Sequence, residues 1–133
     1  MKYKITTKNG DTVIIDEHKL IDCDGIPIQD MAILKPQRSG LPVAMWFDGN
    51  GKNRAMKHNS PRVKIQPRKD NNFSTLDMIP IIVDDNPQIR GKHELSSKDV
   101  KTILQFIKRN EDVIIRHYNG EYDDTDLLTK LKY

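Results

Sequence analysis

Apolar residues fall in short runs along this chain, and the spacing within each run predicts its element. Residues 3–7 and 12–16 are β-prone and flank Asn9-Gly10, a pair that tolerates positive φ and predicts a hairpin. Residues 17–38 are mixed: Gly25 and Pro27 interrupt them, and Met31-Ala32-Ile33-Leu34 is too short for periodicity to assign. Residues 36–42 read as a loop with Ser39-Gly40 as its turn. Val43-Ala44-Met45-Trp46-Phe47 is wholly apolar and predicts a central strand, followed by a turn cluster at 48–53. Residues 62–66 alternate, which places Val63 and Ile65 on one face and Arg62, Lys64 and Gln66 on the other. Residues 78–83 are apolar, and Pro80, which lacks an N–H, marks an edge strand or a bulge.

The pattern then changes period. Val100, Ile103, Leu104 and Ile107 recur at i, i+3, i+4 and i+7, the single stripe of an amphipathic helix. Ser96 or Ser97 supplies its cap, Asp99 suits the positive N-terminal end, and Lys108 and Arg109 suit the last turn. Asn110 separates this helix from a second, with Glu111 and Asp112 in its first turn, Val113, Ile114 and Tyr118 inward, and Asn119-Gly120 as its stop. A further helical turn or two is expected over 126–132. Strands come first and helices last. This order predicts a single α+β domain over 1–133, a small, largely antiparallel sheet with C-terminal helices packed on one face.

The chain of 133 residues is 31 % charged and 36 % hydrophobic, so the expected core is compact beneath a very polar surface. Cys23 is the sole cysteine, which excludes an intramolecular disulfide and a cysteine-rich zinc site and fits a reducing compartment. The first residues hold no apolar leader and no run reaches the length of a membrane span, so a cytoplasmic protein with no membrane association is expected. Net charge is only +3, but it is unevenly placed. Nine basic residues and one acid lie between Lys35 and Lys69, whereas six acids and three bases lie between Glu111 and Tyr133. A basic middle and an acidic tail suit two partners or each other.

Little in the chain has the spacing of catalytic chemistry. His18, His58, His93 and His117 include no i, i+4 pair, so a metal centre would have to assemble across the fold, around His58 for instance. Asp16, Glu17 and Lys19 form a short D-E-x-K string of the kind metal-dependent nucleases use, but such strings are common by chance. Asp22 and Asp24 flank Cys23 and would raise its thiol pKa, a poor setting for a nucleophile. Gly49-Asn50-Gly51-Lys52 lacks the length and the Ser/Thr of a phosphate-binding loop. Glu121, Asp123, Asp124 and Asp126 lack a calcium loop's glycine and final Glu and read as a solvated helix cap. No catalytic residue, metal ligand or cofactor is therefore assigned.

The basic middle is the stronger lead. Arg62, Lys64 and Arg68 would project from one strand face and its exit, with Arg54, Lys57 and His58 on the preceding loop and Trp46, Phe47 and Phe73 nearby. Basic groups beside aromatics are what phosphate contact with base stacking requires. The acids Glu121, Asp123, Asp124 and Asp126, together with Trp46, form a candidate surface for a protein partner.

At His58-Asn59-Ser60-Pro61, entering Arg62-Val63-Lys64, the chain resembles a bacterial family of unknown function, the one numbered 4160. Its members carry a strand, a His-Asn-Pro-Pro-His-Phe-His entry to a second strand, and a C-terminal helix pair. Here Ala44-Met45-Trp46-Phe47-Asp48 is similar to the first strand, and 103–110 with 113–120 to the helix pair, over roughly residues 41–130. Ser60, Arg62 and Lys64 depart from the motif, so of its histidines only His58 remains. The resemblance implies a small cytosolic regulatory protein that acts by binding a protein partner, encoded in a toxin–antitoxin-like or mobile-element locus. The alternatives are a nucleic-acid binder using segment 52–69 and a metal-dependent hydrolase built around His58.

Overall fold

The computed structural model describes residues 2–6, 10, 12–16, 21–49 and 60–133. Two strands, β1 (Lys2–Thr6) and β2 (Thr12–Asp16), pair antiparallel as a hairpin, and Gly10 takes the positive φ of +82° that its turn requires. The expected D-E-x-K string, His18, and the basic loop carrying Arg54, Lys57 and His58 lie outside the described residues, in whole or in part.

The main sheet has four antiparallel strands in chain order: β3 (Met31–Leu34), β4 (Met45–Asp48), β5 (Arg62–Ile65) and β6 (Ile79–Ile82). The wholly apolar run is central, as its composition requires, because both of its faces are covered. Pro80 sits on the edge strand β6, opposite Lys64. Beyond the strand's end, the Val83 N–H donates to the Pro61 carbonyl at 2.9 Å. The expected loop after β3 contains one helical turn, α1 (Pro36–Ser39), with Pro36 at its start and Gly40 closing it at φ +74°.

One sheet face carries the helices, α2 (Ser97–Arg109), α3 (Glu111–Tyr118) and α4 (Asp124–Lys130). The Ser96 side chain accepts from the Asp99 N–H, and Ile103, Phe106 and Ile107 are buried against Leu34, Phe47, Val63 and Ile81. Ile114 from α3 and Leu127 from α4 complete this core. The fold is therefore α+β, with a four-stranded antiparallel sheet and its helices mostly C-terminal. Asn110 joins α2 to α3; its side chain serves the last turn of α2 and makes no capping hydrogen bond to α3. Its amide is buried and donates to Phe106 O at 3.0 Å and Lys132 O at 2.9 Å, while its oxygen accepts from Lys132 N at 2.7 Å. No helix among the described residues is long and apolar enough to cross a membrane.

The opposite sheet face is covered by chain rather than by helix. Residues 21–27 form a tight turn in which Ile21 bridges Pro27 and Asp22 N donates to Ile26 O at 2.9 Å. Ile26 from this turn packs with Met31, Ala44, Trp46 and Met78 into a second, smaller core.

Candidate functional site

The second sheet face holds the residues that alternation made polar, and it is not wet. Lys64 is 1 % exposed. Its Nζ lies 3.0 Å from Asp22 Oδ2 and 3.0 Å from Asp24 Oδ2, both on the covering turn. Asp24 Oδ2 also lies 3.2 Å from Arg62 Nη1. The turn is itself wound around Asp22, whose Oδ1 accepts from Asp24 N at 2.8 Å and Ile26 N at 3.0 Å. Lys64 and Arg62 thus meet Asp22 and Asp24 in a buried cluster of opposite charges. Burial alone would push the Asp24 carboxyl up, but Lys64 and then Arg62 outweigh it and hold it below its usual value. Burial likewise favours neutral Lys64, and Asp22 and Asp24 outweigh it and raise its pKa.

This corrects the expected geometry of the basic strand face. Arg62 and Lys64 do not project into solvent; they bind the covering turn to the sheet. Arg68 is at the surface but is engaged by the Glu94 carboxylate and the Asn72 carbonyl. The D-x-D pair around Cys23 was the signal for this cluster: two acids on a glycine turn need cations when buried.

The acidic residues of the C-terminal region meet local partners. Asp123 caps α4 by accepting from Asp126 N at 2.7 Å, and the Asp126 side chain accepts from Asp123 N in return. Glu121 lies 3.5 Å from Arg116. Asp124 Oδ1 is 2.8 Å from His117 Nε2, a histidine buried at the end of α3 and edge-on to Phe47. Among the described residues no group of three or more His, Cys, Asp or Glu side chains is arranged to hold a metal ion.

Trp46, paired in register with Lys64, connects this face to the surface. It lines an open cleft of about 640 Å³ beside α1, with Ile33, Lys35 and Pro36 on one side and Lys69, Asn71 and Phe73 on the other. Phe73 meets the Trp46 ring edge-on, with centroids 6.2 Å apart and planes at 72°. The far wall is anchored by Gln66. Its Oε1 accepts from Ala44 N at 2.6 Å, and its Nε2 donates to Asp70 O at 3.0 Å and to Asn71 Oδ1 at 3.3 Å. Among the described residues Ile33 is one of the few large apolar side chains left exposed, at 40 %. The cleft thus joins Trp46 and Phe73, singled out by their aromatic chemistry, to neighbours within residues 33–37 and 69–75 whose role the sequence alone did not reveal.

No family model, no curated protein and no solved structure matches this chain.

Proposed function

We propose that this chain is a small binding module that regulates or accompanies a protein partner, and that it engages that partner through the cleft over Trp46. The observation that carries this reading is the internal neutralisation of the basic strand face. Arg62 and Lys64 spend their charge on Asp24 and Asp22, so they are poorly placed to contact phosphates. The exposed apolar side chain of Ile33, the paired aromatics and the rigid Gln66 anchor are what a protein-binding surface uses instead. The resemblance of residues 41–130 to the family numbered 4160 supports the same class of activity, with the partner encoded at an adjoining gene in a toxin–antitoxin-like or mobile-element locus.

Co-expression with the products of adjoining genes, followed by size-exclusion chromatography, tests it. A stable complex that Ile33→Asp disrupts is the expected result. The reading fails if no complex forms and the protein instead binds nucleic acid with a steep salt dependence, about −0.9 in log–log slope per phosphate neutralised on duplex DNA. Loss of that binding in Arg54→Ala and Lys57→Ala would then assign it to the basic loop.

A further inference from the structure

We infer that the segment captured in the Trp46 cleft is an acidic, extended peptide that places an apolar side chain beside Trp46 and Phe73 and carboxylates against Lys35 and Lys69. The inference rests on the binding-module reading and adds the chemical class of the occupant. The charged side chains that line the cleft are both lysines, Lys35 and Lys69. Lys35 is exposed, and no carboxylate among the described residues lines the cleft. Asn71 accepts from Gln66 through its oxygen, which leaves its NH₂ group to donate. Thr75 has already committed its hydroxyl to Ile21 O at 2.6 Å. Lys69 Nζ rests 3.0 Å from Asp99; the lysine side chain is 63 % exposed and the carboxylate 16 %, so a ligand carboxylate would share this lysine with Asp99 rather than displace it. A rim with two lysines and no lining carboxylate among the described residues, over an apolar floor, selects a ligand that supplies negative charge around a hydrophobic group.

The same chemistry could come from a single-stranded nucleic acid, and the aromatic geometry argues against it. Stacking needs an open ring face. Trp46 is only 8 % exposed, and Phe73 stands edge-on against it. What remains open is a notch for an aliphatic or small aromatic side chain rather than a platform for a base.

A random peptide display library selected on the whole chain tests this. Enriched peptides should combine Asp or Glu with a neighbouring apolar residue. Their binding should perturb the fluorescence of Trp46, the sole tryptophan. Lys35→Glu with Lys69→Glu should weaken binding about tenfold or more, and Ile33→Asp should abolish it. Enrichment of neutral or basic peptides that still depend on Ile33 would overturn the acidic class and leave the binding-module reading standing. Absence of any enrichment dependent on Ile33 would overturn both. Competition by oligonucleotide that also quenches Trp46 would transfer the cleft to nucleic acid.

Discussion

Lys64 and Trp46 stand directly opposite each other across β5 and β4, and both are buried on the sheet face that carries no helix. One is a cation neutralised by the turn above it; the other is an aromatic that reaches the neighbouring cleft. The covering turn therefore depends on a charge balance set beside the proposed binding surface.

Removing that balance should be costly. Lys64→Ala would remove the buried cation that both Asp22 and Asp24 meet, a loss expected to destabilise the fold by about 3–5 kcal/mol. Equilibrium urea denaturation measures it. A cost under about 1 kcal/mol would mean that the turn is not bound to the sheet through this lysine.

The same cluster predicts how stability varies with pH. Asp24 has a lowered pKa in the folded protein, so its contribution is fully present above the ordinary carboxylate value of about 3.9 and is lost as pH falls through the lower folded value. Lys64 has a raised pKa, so its contribution is fully present below about 10.4 and is lost as pH rises through the higher folded value. Denaturation midpoints measured across pH should show both limbs. Asp24→Asn should flatten the acid limb, and an unchanged limb would place the responsible carboxylate elsewhere.

Gly49 lies against His117. A β-carbon there would sit 3.0 Å from His117 Nε2 and 3.1 Å from Cε1, so Gly49→Ala should push the imidazole away from Asp124. A cost of about 1–3 kcal/mol is expected from such overpacking. Gly91→Ala, whose added carbon would meet the Ile79 side chain at 3.3 Å, should cost less. Thermal melts of the two variants decide the order, and imidazole resonances should shift in the first alone.

Asn110 fastens the last residues to the α2–α3 corner through two hydrogen bonds with Lys132, and a third ties its amide to Phe106 O. Asn110→Ala should cost about 2–3 kcal/mol, because it strands the buried groups that the amide served. Hydrogen exchange at the Lys132 amide should accelerate more than exchange in β4 and β5. Uniform acceleration would show that the tail and the sheet open together.

The parts of the fold legible in the sequence are those set by local periodicity. Val100, Ile103 and Ile107 repeat at the helical period, and Ser96 caps them as its side chain requires. Alternation around Val63 and Ile65 correctly separated two faces of β5. It did not say that the polar face was dry, because the carboxylate that meets Arg62 is 38 residues earlier in the chain. Burial of a charge is a property of the pair, and the pair is assembled by topology. α1 escaped for a different reason: four residues are too few to show a period, although Pro36 and Gly40 carried its boundary signals. The cleft was legible only through its aromatics, Trp46 and Phe73, since its two walls come from separate parts of the chain.

Pro80 has a consequence beyond the turn chemistry that places it on β6. The Val83 N–H faces inward to Pro61 O, and alternation turns the nitrogens of Pro80 and Ile82 toward the outer edge. One of those two outward nitrogens carries no hydrogen, so a strand from another molecule would find an interrupted ladder there. This matters because Ile82 leaves an apolar side chain 44 % exposed on the same strand. The proline thus guards a sticky border against runaway sheet growth between copies, a protection obtained by withholding a single hydrogen atom.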